Sequence, residues 1–189
     1  MNELSDTTLI VKCKAKDREA FRMLVERHKK QAYAFAFSYV KNADDALNVS
    51  QDAFVRAWNA IDTFFEGRNF RPWLFSIIKN LSLNLLEKKK KLSEISLDSA
   101  MEESGFDIPD TAGDPLDDAV SSETRTQVWK AIFGLKDEFR EIIILKHFYD
   151  LSYHEISEAL DIPEGTVMSR LYYARLELRK KLETVVLRS

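Results

Sequence analysis

Between residues 92 and 124 the chain carries ten acidic side chains and not one Lys or Arg: Glu94, Asp98, Glu102, Glu103, Asp107, Asp110, Asp114, Asp117, Asp118 and Glu123. A run of like charge repels itself, and without an apolar period it has nothing to bury. Gly105, Pro109, Gly113 and Pro115 interrupt it further. The stretch 92–119 therefore reads as a flexible acidic linker between two separate pieces, 5–91 and 120–187. Without residues 92–124 the net charge of −3 becomes +7. The global charge thus hides two mildly basic pieces on either side of the acidic run, +6 over 1–91 and +1 over 125–189.

Both pieces read as helical. The 189 residues include only 5 Gly and 4 Pro, few turn-formers for a chain that is 45% hydrophobic. In the first piece Phe21, Leu24, Val25, His28, Ala32, Phe35, Ala36 and Tyr39 recur at three- and four-residue steps. A second helix carries Val49, Ala53, Phe54, Ala57, Trp58 and Ile61, with Asp44 and Asp45 at its positive end. A third starts near Pro72, which a first turn tolerates, and runs through Leu74, Ile78, Leu81 and Leu85 to four lysines, 88–91. In the second piece the period resumes at Val128, Ile132 and Leu135, and again at Phe139, Ile142, Ile143 and Leu145.

The most explicit local pattern lies at 151–171. Ile156 and Leu160 sit four apart on one short helix. Asp161-Ile162-Pro163 break it, and a second helix follows with Val167, Leu171, Ala174 and Leu178 on one face. Two short amphipathic helices around a tight break form a helix-turn-helix pattern, whose second helix enters the DNA major groove by its N-terminal residues. The opposite face carries Thr166, Ser169, Arg170 and Tyr173, with Tyr172 beside it, all able to reach bases or phosphates. Arg175 and Lys180 lie farther along, where phosphate contacts are expected. The plainer alternative is a helical hairpin with a solvated basic face.

A second pattern is the loop 64–70 and the residues after it. Phe65, Phe70 and Trp73 alternate with Arg68, Asn69 and Arg71, a combination that suits stacking of unpaired bases beside phosphate-neutralising charge. Ser76, Asn80, Asn84 and Lys88 then follow at four-residue steps, a polar stripe on an otherwise apolar helix. A third is the outer face of the 43–61 helix, with Asn48, Gln51, Asp52 and Arg56. In both, core aromatics and a solvated helix face are the competing reading.

Enzyme chemistry finds no constellation here. No Gly-rich phosphate loop occurs, and His154-Glu155 lacks the second histidine of a zinc-protease helix. His28, His147 and His154 are scattered, and Cys13 reads as a small residue on a helix face. No cofactor or metal is expected. No apolar run of about 18 residues occurs, so no membrane insertion is expected. The start lacks the order of a signal peptide, and the expected location is the cytoplasm.

Four segments, in this order around an acidic linker, resemble the extracytoplasmic-function sigma factors of bacterial RNA polymerase. The first is Lys16-Asp-Arg-Glu-Ala-Phe21 with Leu24-Val-Glu-Arg-His28. The second is Asp44-Asp-Ala-Leu-Asn-Val-Ser-Gln-Asp-Ala-Phe-Val-Arg-Ala-Trp58. The third is Phe70-Arg-Pro-Trp-Leu-Phe-Ser-Ile-Ile-Lys-Asn-Leu81, and the fourth is Ile162-Pro-Glu-Gly-Thr-Val-Met-Ser-Arg-Leu-Tyr-Tyr-Ala-Arg175. The resemblance implies an all-α chain of two small helical domains, the C-terminal one a helix-turn-helix, and no enzyme. The first domain would bind core RNA polymerase through Asp45, Asn48, Gln51, Asp52 and Arg56. It would also hold the melted minus-ten strand through Phe65, Arg68, Asn69, Phe70, Arg71, Trp73, Asn80, Asn84 and Lys88. The second would read promoter DNA at the minus-thirty-five element through Thr166, Ser169, Arg170, Tyr172, Tyr173, Arg175 and Lys180. Core polymerase, promoter DNA and an anti-sigma factor are the implied partners. The chain departs from the family at Asn48, where an acid is usual, and at Met168 and Tyr173, where a basic residue is frequent. A stand-alone helix-turn-helix regulator, whose N-terminal half senses a ligand or dimerises, is the second reading; a helical enzyme is the third.

Overall fold

A computed structural model describes residues 4–65, 67–95 and 122–186. The described residues form eight α-helices and no strand, divided between two compact units. Most of the acidic stretch, 96–121, lies outside the described residues.

The first unit holds α1 (Asp6–Lys14), α2 (Arg18–Val40), α3 (Ala43–Ala60), a 3-10 turn (Ile61–Thr63) and α4 (Phe70–Ile95). Each start has a chemical reason. Ser5, Asp17 and Asn42 accept hydrogen bonds from the backbone N–H groups of Thr8, of Glu19 and Ala20, and of Asp45, satisfying first-turn donors. Lys16 and Lys41 take left-handed backbone angles, φ 66° and 54°, and so turn the chain between helices. Helix α2 packs on α1, α3 and α4, and α3 packs on α4. Leu24, Phe35, Ile61, Leu74, Phe75 and Ile78 close the core between them.

One polar device joins α1 to α2. Asp6 accepts from the Arg27 guanidinium and lies 2.8 Å from Nε2 of the buried His28. Burial alone would raise the Asp6 carboxyl. The His28 and Arg27 contacts outweigh burial and hold it below the ordinary carboxylate value. Cys13 is buried on α1, and burial with nearby Asp17 pushes its thiol up to about 11, so it fills space as an inert thiol.

Helix α4 does not stop at the lysine run. It continues to Ile95, carried by i,i+4 pairs of Glu87 with Lys91 at 2.7 Å and of Lys90 with Glu94 at 3.9 Å.

The second unit holds α5 (Ser122–Phe133), α6 (Asp137–His147), α7 (Tyr153–Leu160) and α8 (Glu164–Val186). Helices α5, α6 and α7 all pack on α8. Ile142, Ile143, Leu145, Ile156, Val167, Leu171 and Ala174 make the core. Arg140 is buried at 1% exposure, and its guanidinium reaches Asp137 and the Leu135 carbonyl, 3.3 Å away, locking the turn before α6. No helix among the described residues is long and apolar enough to cross a membrane.

Candidate nucleic-acid interface

The break between α7 and α8 is held from several sides. Ser152 accepts from the Glu155 N–H at 3.2 Å, while the Glu155 carboxylate accepts from the Ser152 N–H at 2.8 Å, a complete capping box. Asp161 ends α7 in the left-handed region, φ 55°. The Ser157 hydroxyl donates to the Ile162 carbonyl at 2.6 Å across the turn, and His154 Nδ1 lies 2.9 Å from Glu164 Oε1 at the head of α8. The entry of α8 is therefore fixed rather than loose.

Helix α8 divides as its period predicts. Val167, Leu171 and Ala174 are fully buried, and Leu178 is half-buried. Ser169, Tyr172, Tyr173, Arg175 and Lys180 are exposed, and Thr166 is half-buried at the head of the helix. The Ser169 hydroxyl donates to the Thr166 carbonyl at 3.1 Å. Arg175 Nε donates to His147 Nε2 at 3.4 Å. Arg170 stands apart from the other candidates. Its guanidinium lies 3.7 Å from the carboxylate of Glu141, a buried residue of α6, and so faces the domain more than the groove side.

Around the 64–69 loop the structure separates the aromatics. Phe65 is 69% exposed, and its ring lies so close over Gly67 that a Cβ there would meet it at 2.7 Å. The ring is therefore packed beside Gly67 while most of its surface stays exposed. Phe70 corrects the expectation of a stacking ring: it is 2% exposed, packed on His28, Phe64 and Trp73. Its ring anchors the start of α4 in the core and cannot stack on a base without leaving it. Trp73 is half-buried against Phe64, with ring centroids 4.9 Å apart. Arg68 and Asn69 are exposed and Arg71 is half-buried. Asn80, Asn84 and Lys88 are all exposed, in line along α4, while Ser76 turns its hydroxyl back to the Trp73 carbonyl at 2.7 Å.

On α3, Asn48, Gln51, Asp52 and Arg56 are exposed. Asp45 is held by Lys89 of α4. The polar periodicity missed what lies beside them. Leu47 and Val55 are open, and two shallow grooves of about 360 and 380 Å³ run between α2 and α3, lined by Phe21, Val25, Tyr33, Phe54 and Trp58. An exposed Leu and Val eight residues apart on one helix were the available signal. Among the described residues no three His, Cys, Asp or Glu side chains are grouped to hold a metal ion.

Comparison with known proteins fits this division. Residues 24–92 match the Sigma-70 region 2 family model, and residues 125–178 match Sigma-70, region 4. The chain is 34% identical to the ECF RNA polymerase sigma factor SigW of Bacillus subtilis, over 92% of this chain and 94% of the relative. It is 30% identical to the ECF RNA polymerase sigma-E factor of Escherichia coli, over 98% of both chains. Among solved structures, the sigma factor RpoE in complex with the anti-sigma factor NepR from Bartonella quintana gives a TM-score of 0.67 at 25% identity, covering 86% of this chain and 96% of that one. CnrH, solved with the cytosolic domain of CnrY, has the same fold, with a TM-score of 0.67 at 24% identity over 95% of this chain and 97% of that one.

Proposed function

The chain belongs to the extracytoplasmic-function sigma factors, subunits that direct bacterial core RNA polymerase to promoters, and from that premise we propose how its residues divide the work. Region 4 corresponds to the second unit. Helix α8 enters the major groove of the minus-thirty-five element with Thr166, Ser169, Tyr172 and Tyr173 toward the bases. Arg175 and Lys180, a turn or more farther on, meet phosphates. Arg170 holds α8 to α6 through Glu141 and contributes to the interface from its edge.

Region 2 corresponds to the first unit. The exposed ring of Phe65, with Arg68, Asn69, Arg71 and Trp73 nearby in the chain, takes an unstacked base of the minus-ten strand, and Asn80, Asn84 and Lys88 track the strand along α4. Stacking on one ring is worth about 1–3 kcal/mol, the same order as the few kcal/mol needed to unstack a base. Asn48, Gln51, Asp52 and Arg56 meet core polymerase, with Leu47 and Val55 supplying apolar contact and Asp45 acting at the edge. The observation that carries the reading is α8: one face closed into a core, the other open, behind a turn clipped from both sides.

The polymerase supplies all the chemistry, so the chain itself is not an enzyme, and it works in the cytoplasm beside its promoters. An anti-sigma factor is its regulatory partner, as NepR is for the Bartonella relative. The regulator alternative is not favoured, because both family regions match in order. Run-off transcription over fragmented genomic DNA tests the assignment: core polymerase with the chain should start at a defined set of sites sharing two spaced elements. An unchanged start-site map on adding the chain would contradict it.

A further inference from the structure

Guanine is read best by a free guanidinium or ammonium that bonds O6 and N7 together. The first three turns of α8 contain one such group, Arg170. Its guanidinium sits by the buried Glu141 carboxylate. Turning Arg170 into the groove would give up this contact with the Glu141 carboxylate. Over its first turns the side of α8 opposite Val167, Leu171 and Ala174 carries mainly aromatic and aliphatic side chains instead. Tyr172 is 61% exposed and Leu176, one turn farther, 40%. Met168 and Tyr173 flank this line on either side at 55% and 58%. The two tyrosine rings stand edge to face, centroids 5.3 Å apart, and so support each other in place. Ser169 lies between them on the same side, and its hydroxyl proton is given to the Thr166 carbonyl. In that arrangement the Ser169 oxygen keeps lone pairs to offer outward as an acceptor.

An apolar ridge beside a hydroxyl acceptor matches one base pair in the major groove. Thymine presents its C5-methyl group there, and adenine presents the N6 amino donor. We infer that α8 selects A·T pairs in the minus-thirty-five element by packing Met168, Tyr172 and Tyr173 against thymine methyl groups, with Ser169 accepting from adenine. The inference rests on the sigma-factor reading above and specifies the chemistry of its duplex site.

The test uses the holoenzyme formed with core polymerase. A promoter is selected from a library randomised across the minus-thirty-five element. Each selected thymine is then replaced by deoxyuridine, which removes the methyl group and keeps every hydrogen bond. Expected are A·T pairs opposite the first turns of α8, and a loss of about fourfold in closed-complex affinity for at least one uracil, the weight of one buried methylene-sized group. Met168→Ala or Tyr172→Ala should lower affinity on thymine and erase the uracil penalty, while Arg170→Gln should keep the thymine preference. Indifference of the holoenzyme to every uracil substitution, or a selected element of G·C pairs lost on Arg170→Gln, would overturn the inference and leave the sigma reading standing. A holoenzyme that selects no element from the library overturns both.

Discussion

His147 sits at the end of α6 beside Arg175, and its chemistry has a consequence for pH. Partial desolvation of the otherwise exposed side chain first, then the charges of Arg175 and Lys146, hold its imidazole below the ordinary value of 6.5. The neutral ring accepts from Arg175; a protonated one would stand against two cations. The folded state therefore binds fewer protons than the unfolded one. The stability that follows is present above about pH 6.5 and is lost as pH falls below it toward the lowered folded value. The second unit should thus melt earlier at about pH 5 than at about pH 7, and His147→Gln should flatten that dependence. Identical pH slopes for the two proteins, measured by thermal unfolding, would show that His147 titrates unperturbed.

Two phenylalanines five residues apart make the opposite pair of cases. Phe70→Ala removes a ring at 2% exposure and should cost the first unit about 3–5 kcal/mol, read as a fall in urea midpoint. Phe65→Ala and the Asn80→Ala, Asn84→Ala pair remove exposed groups and should leave the midpoint in place. Their defect should lie in opening promoter DNA, so a pre-melted template should restore transcription. A template that restores nothing would mean these side chains do not act in melting. The burial of Phe70 was not legible in the sequence. An aromatic between Asn69 and Arg71 carries the composition of a stacking loop, and only the fold brings His28, 42 positions earlier, beneath the ring.

At the scale of elements, the long periodic helices α2, α3, α4 and α8 and the break at Asp161-Ile162-Pro163 were legible, because each buries one regular stripe. Helix α1 was legible only as the helix face that holds Cys13, since Leu9, Ile10 and Cys13 span little more than one turn. The overrun of α4 past the lysines was hidden too: a lysine run suits a helix end, but here Glu87 and Glu94 pair with Lys91 and Lys90 and carry the helix on. The Glu141–Arg170 pair joins helices that no periodicity relates. The capping box of α7, by contrast, is written plainly as Ser152 and Glu155. Ser152→Ala should cost about 1 kcal/mol. In a domain of this size that lowers the melting point by about 4–8 °C. Calorimetry should show the second unit's transition moving and the first unit's staying. Two transitions moving together would show that the units unfold as one.

At the scale of the whole molecule, the two-part organisation followed from one charge pattern: ten acids without a base, flanked by pieces that are net positive. Each unit is small and offers few cations to DNA, and affinity for the phosphate backbone rises with each phosphate neutralised. A free chain should therefore hold a promoter duplex weakly, and partnership with polymerase should bring both units to one promoter and add their contacts. The direct measurement is the anisotropy of a labelled promoter duplex titrated with the chain alone, with core polymerase alone, and with the two together at one salt concentration. The chain and core together should bind tightly and lose that affinity on a scrambled duplex, while either alone binds weakly and without preference. Tight, sequence-selective binding by the chain alone would contradict its identity as a polymerase-dependent promoter subunit.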